Sequence, residues 1–368
     1  MPTPASRPVP QPGILKIAPY VPGKSAAPAG VTPIKLSANE SPLGASPKAI
    51  EALLKADEQP EIYPEGTSRI LREALGEVHG IDAERIVCGN GSDDLLHLLA
   101  QCYLGDGDEA VMARHGFSVY PIVTMGASAE IIMAPETDYR ADVDALLGAV
   151  TAKTKVLFLA NPNNPTGTYL SGAELTRLHA GLRPDILFVL DSAYAEYVTA
   201  EDYAVGIELV DRAENVVMVR TFSKMGLAAS RIGWMYAPEH VVDVVNRIRG
   251  PFNVNRPAQF AGAAAARDVA FTARLRAYNA KWRSWLTRAL AGNAIRVVPS
   301  EANFVLALFE DAATSRAAFN ALFAEGLIVR EIGVYGIENG LRISIGPEAA
   351  MRRLVDVLKP FGAPGATD

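Results

Sequence analysis

Cysteine is nearly missing from this chain. Only Cys88 and Cys102 occur, each inside an apolar segment and without a partner cysteine at metal spacing. Two buried, reduced thiols are expected, as in a cytoplasmic protein. The five histidines (His79, His97, His115, His179 and His240) are scattered and form no metal-ligand pattern. No apolar run approaches the length of a membrane span. The N-terminus lacks a charged region followed by an apolar one, so it does not read as a signal peptide. A positive excess is lacking too. The formal net charge is −6, which argues against general nucleic-acid binding and against an anionic membrane surface.

What is present is 368 residues, 49% hydrophobic and 21% charged, enough for a globular protein of two lobes. Residues 1–33 carry nine prolines. The first dozen read as a mobile tail, and the part around Tyr20 as an arm that docks elsewhere. Residues 35–42 read as a short extended piece ending in a turn. Pro47 opens a helix to about Lys55, and Ser68 is expected to cap a helix ending near His79.

Strands and helices then alternate. Apolar runs fall at 85–87, 109–112, 130–133, 155–160, 186–190, 215–219 and 232–236, most of them separated by helix-period segments such as 94–103 and 172–181. Short continuous runs are what a sheet covered on both faces requires. The fold is therefore expected to be α/β, with a mostly parallel, seven-stranded, doubly wound sheet. After a helix at 239–249, an Ala-rich helical region is expected over 258–290. Strands at 295–298, 303–309, 327–329 and 341–345, with helices at 312–325 and 347–358, make a smaller α+β unit. The expected division is 1–45 for the tail and arm, 46–250 for the large domain and 251–368 for the small one.

Three apolar runs end in polar groups of different kinds: Asn164 within 161–167, Asp191 with Tyr194, and Lys224 within Thr221-Phe-Ser-Lys224. Taken singly they read as a turn, a helix cap and a solvated lysine. In a parallel sheet all three ends lie on one edge, where ligands bind. A fourth piece, Gly89-Asn-Gly91-Ser92-Asp93-Asp94, follows a strand and opens a helix, which favours an anion such as phosphate. The dinucleotide fingerprint G-x-G-x-x-G fails there, because its third glycine falls on Asp94. Together the parts describe a site for pyridoxal 5′-phosphate. Lys224 would form a Schiff base with the aldehyde, and Asp191 would pair with the protonated ring nitrogen. Asn164 and Tyr194 would bond the phenolic oxygen. Ser92, Asp93, Thr221, Ser223 and Arg231 would hold the phosphate.

On the segments SANESPLGASPKAI, YPEGTSRILREAL, CGNGSDDLLHLLA, LANPNNPTGTYL, LDSAYAEYV, RTFSKMGLAASRIGW, PSEANFVL, GLIVRE and LRISIG, spanning residues 37–346, the chain resembles the fold-type I aminotransferases. Within them it is most similar to the histidinol-phosphate branch. The resemblance implies transfer of an amino group from L-histidinol phosphate to 2-oxoglutarate, as in histidine biosynthesis, with Lys224 also moving a proton. It implies that Phe117 stacks on the cofactor and that Tyr63 reaches the phosphate across a homodimer interface. Arg342 would grip the anionic end of the substrate with Arg330 as helper, and Tyr20 would close over it. There are departures. Ser192 stands where the family usually has glutamate, Phe117 replaces the commoner tyrosine, and the interval from Lys224 to Arg231 is one residue short. Rival readings are an aromatic amino acid aminotransferase, a decarboxylase of a phosphorylated amino acid, and a binding protein that keeps the fold without catalysis.

Overall fold

The computed structural model describes residue 8 and residues 10–19, 26–56 and 60–362. Tyr20 lies outside the described residues. The central sheet is built from β1 (Ile86–Gly89), β2 (Glu109–Ala113), β3 (Glu130–Ala134), β4 (Thr154–Ala160), β5 (Leu187–Asp191), β6 (Val216–Thr221) and β7 (Gly233–Tyr236). Its order is β1-β7-β6-β5-β4-β2-β3. All neighbours run parallel except β7, which is antiparallel to both β1 and β6. This is the expected seven-stranded α/β sheet.

Side chains alternate between two apolar layers, as the pleat requires. Leu157, Leu159, Phe188, Leu190 and Met218 enter one layer. Val156, Phe158, Val189, Val217 and Val219 enter the other. Burying a side chain of this size contributes about 1.5–3 kcal/mol, so the two layers fix the register of every central strand. Edge strand β3 is the exception, with Met133 half exposed.

The small unit has a four-stranded antiparallel sheet in the order Arg296–Val298, Phe304–Leu308, Gly340–Ser344, Arg330–Glu331. The run expected as a strand at 327–329 does not join it. Leu327–Ile328 instead pairs in parallel with Ile34–Lys35. Two further expectations need correction. Ser68 makes no side-chain cap and sits in the left-handed region at φ 55°. The carboxylate of Glu65 accepts the Arg69 N–H at 2.7 Å in its place. The Ala-rich region is two helices, Arg256–Arg267 and Val269–Ala291. Asp268 breaks it, its carboxylate accepting from Ser46 Oγ at 2.5 Å. The alanines of the first helix enter the large core, whereas Trp282, Leu286 and Leu290 of the second enter the small one. The start of the second helix still packs on the large unit, where Arg276 Nε donates to the Glu196 carbonyl at 2.9 Å, so this helix spans both units. Among the described residues no helix is long and apolar enough to cross a membrane.

Candidate active site

The carboxyl ends of β4, β5 and β6 share one edge of the sheet. They open on a cavity of about 330 Å³ between the two units. Asp191 ends β5 and is buried. Its Oδ2 accepts the Tyr120 hydroxyl at 2.9 Å and its Oδ1 accepts the Ala193 N–H at 3.2 Å. Burial raises its pKa to about 6, against the pull of the Tyr120 bond. Both donors are uncharged, so this carboxylate still suits a cation.

Lys224 lies in the short turn Ser223–Met225 just past β6. Its amine donates to the Ala38 carbonyl at 3.4 Å and sits 5.8 Å from the centre of the Tyr194 ring. Burial and the charge of Arg342 lower its pKa to about 8. The Tyr197 hydroxyl donates to the Lys224 carbonyl and fixes the turn. Tyr194 is buried, and burial raises its phenol to about 12, so it remains protonated. Its oxygen accepts from Asn39 Nδ2 at 3.1 Å.

The same cavity wall includes a cup suited to an anion. The helix Ser92–Tyr103 starts at Gly91, φ 91°, with no side-chain cap, which leaves its first N–H groups for a ligand. Gly233 of β7 makes this possible. A Cβ on it would lie 2.2 Å from the Ser92 nitrogen. Thr221 Oγ1 and Ser223 Oγ are 3.0 Å apart, and Arg231 Nη1 is 3.5 Å from Ser223 Oγ. Arg231 reaches the cup from a left-handed backbone, φ 53°. Its Nη2 pairs with the Asp93 carboxylate at 3.3 Å, so Asp93 suits an anion through its N–H rather than its side chain.

Phe117 lines the cavity and meets Tyr120 edge-on at 5.8 Å. Asn164 Oδ1 accepts from Arg342 Nη1 at 2.5 Å. Arg330 and Arg342 line the same cavity. Twelve of the expected positions therefore converge: Ser92, Asp93, Phe117, Asn164, Asp191, Tyr194, Thr221, Ser223, Lys224, Arg231, Arg330 and Arg342. Tyr63 does not. It is 77% exposed and stacks on Phe252 at 4.6 Å, outside the cavity of its own chain. Ser192 points away, its hydroxyl donating to the Val205 carbonyl at 3.0 Å.

Tyr120 and Asn39 escaped the sequence reading. The one signal for Tyr120 is its spacing of three residues from Phe117 at the start of a helix. Asn39 lies inside a segment already singled out. Its left-handed backbone, φ 56°, aims its amide at Tyr194 while its carbonyl accepts from Asn303 Nδ2 at 2.9 Å.

Residues 31–358 match the family model for aminotransferase class I and II. The chain belongs to that aminotransferase family. Two relatives, both histidinol-phosphate aminotransferases, are those of Nitrobacter winogradskyi and Rhodopseudomonas palustris. They are 55% and 51% identical over 97% of this chain and 99% of theirs. Among solved aminotransferases, the histidinol-phosphate aminotransferase of Sinorhizobium meliloti, in complex with pyridoxal-5′-phosphate, is 27% identical. It superposes with a TM-score of 0.88 over 97% of this chain and 98% of its own. The lysine turn, the buried aspartate and the anion cup thus lie together in a chain of the class I and II aminotransferase family.

Proposed function

We propose that the chain transfers the amino group of L-histidinol phosphate to 2-oxoglutarate, with pyridoxal 5′-phosphate as cofactor, in histidine biosynthesis. The observation that carries this reading is the convergence of Lys224, Asp191 and the anion cup, in a chain whose relatives at 51–55% identity are histidinol-phosphate aminotransferases. The residues fit the cofactor. Asp191 is a buried carboxylate bonded only by uncharged donors, which matches a protonated ring nitrogen. The uncapped helix start at Ser92 with Thr221, Ser223 and Arg231 matches a phosphate. Tyr194 and Asn164 would hold the phenolic oxygen, and Phe117 would supply an aromatic face.

When bound, the cofactor supplies a carbonyl that takes up the amino group and a ring that accepts the electron pair released at the substrate carbon. The chain supplies the rest. Lys224, with its pKa near 8, has enough free base at neutral pH to take a proton from that carbon and return it. Asp191 would hold the ring nitrogen charged. Arg342 and Arg330 hold the anionic end of each substrate in turn, a phosphate in one half-reaction and a carboxylate in the other.

We also propose a cytoplasmic homodimer. Tyr63, Ile62 and Phe252 are exposed and form an apolar patch suited to a second copy. Free Cys88 and Cys102 suit a reducing compartment. The test of the reaction is direct. Purified protein with the cofactor should convert L-histidinol phosphate and 2-oxoglutarate to glutamate at a far higher kcat/KM than it converts phenylalanine. Preference for phenylalanine would replace this reading with the aromatic one.

A further inference from the structure

The hairpin that carries Arg330 and Arg342 carries a third group on the same cavity. Its strands, Arg330–Glu331 and Gly340–Ser344, set Arg330 directly opposite Arg342. Opposed residues of antiparallel strands share a face, and like charges there repel. An anion between the two guanidiniums relieves that repulsion. Arg342 is buried and its Nε has no partner, although its Nη atoms donate to Asn164 and to the Ser37 carbonyl. The linking turn, Gly333–Tyr335, closes at Gly336 with φ 76° and puts Tyr335 on the cavity wall. The ring packs with the small unit's apolar cluster of Leu306, Ile332 and Ile337. Its hydroxyl donates to Ser118 Oγ of the large unit at 3.2 Å. That is long for an O–H···O bond, which is usually about 2.7–2.8 Å.

One forked guanidinium satisfies a carboxylate. A phosphate monoester has three terminal oxygens and a charge of about −1.5 to −2. It can engage both arginines and still present an oxygen that needs a donor. Lys35, also on the cavity, is engaged by Glu40 at 2.9 Å. We propose that Tyr335 is the missing donor. On binding, its hydroxyl leaves Ser118 for the third phosphate oxygen of the amino donor, a bond strengthened by the charge of the acceptor. Tyr335 therefore selects a phosphorylated amine over a carboxylate-bearing one, and it touches no reacting bond. This inference rests on the proposed reading that the donor is a phosphate ester.

The test uses the full chain loaded with cofactor. In Tyr335→Phe, the ratio of kcat/KM for L-histidinol phosphate to kcat/KM for 2-oxoglutarate should fall about tenfold, the scale of one hydrogen bond to a charged group. The inhibition constant of inorganic phosphate should rise by a similar factor, and that of succinate should stay nearly constant. Ser118→Ala should keep the wild-type ratio, since Ser118 only holds the hydroxyl between turnovers. An unchanged ratio in Tyr335→Phe, or an equal fall in Ser118→Ala, overturns the inference and leaves the proposed reaction standing. Wild-type protein that does not use L-histidinol phosphate overturns both.

Discussion

The hydroxyl of Tyr120 donates to Oδ2 of Asp191 at 2.9 Å, and both residues are buried. The bond favours the charged form of a carboxylate that burial otherwise raises. Tyr120→Phe removes a donor to a charged group, worth about 1.5–3 kcal/mol. We expect kcat to fall by roughly tenfold or more, with a smaller change in KM. Steady-state kinetics on the cofactor-loaded variant checks this. An unchanged kcat would mean that Asp191 needs no support from the tyrosine.

The raised pKa of Asp191 makes a signed prediction for the cofactor-free chain. A carboxyl whose folded pKa, about 6, lies above its ordinary value of 3.8 binds more protons when folded. Its contribution to stability is present below about pH 4 and is lost as the pH rises through 6. The loss is on the order of 3 kcal/mol. Thermal unfolding of the wild type and Asp191→Asn should show this as an extra decline in the wild type between pH 4 and 6. Cofactor should offset that decline by placing a cation beside the carboxylate. Parallel pH profiles for the two proteins would contradict it.

Lys224→Ala should reduce turnover by at least a thousandfold, since general acid–base steps alone contribute about a hundredfold to ten-thousandfold and the amine is also the expected attachment point. The lowered pKa of Lys224, about 8, adds a second expectation. Its contribution to stability is present at high pH and lost as the pH falls from about 10.5 through 8, so Lys224→Met should stabilise the cofactor-free chain at neutral pH. Calorimetry at pH 7 and pH 10 should show a gain several times larger at the lower value.

Gly233→Ala tests the anion cup through packing. The added methyl would meet the Ser92 nitrogen at 2.2 Å, which backbone cannot accommodate without moving the helix start. We expect a loss of about 1–3 kcal/mol of stability and at least a tenfold loss of cofactor affinity. Arg231→Gln should lower affinity by a comparable factor with little change in melting temperature, because Arg231 is only partly buried. Fluorescence titration with pyridoxal 5′-phosphate separates the two cases.

The central strands were legible because each is buried on both faces, so its apolar run appears whole in the sequence. β5 and β6 were read to within two residues, and with them the places of Asp191 and Lys224. The features that were not legible depend on partners distant in the chain. Arg330–Glu331 is a two-residue strand that exists because Gly340–Ser344 lies beside it. The helix break at Asp268 depends on Ser46, 222 positions away. Tyr120 looks like any core aromatic until β5 brings Asp191 to its hydroxyl. The exchange of Glu65 for Ser68 as the helix cap follows from Ser68's left-handed backbone, which its residue type does not announce. Tyr63 stays outside the cavity of its own chain, exposed and stacked on Phe252, and the role expected of it belongs to the proposed homodimer.

The attachment of the cofactor to Lys224 is tested most directly by trapping. The protein is incubated with pyridoxal 5′-phosphate, reduced with borohydride, digested and sequenced by mass spectrometry. The account predicts one stoichiometric adduct, on Lys224, that is absent when substrate amine is added in excess before reduction. Labelling spread over surface lysines, or a fully labelled Lys224→Ala variant, would contradict it.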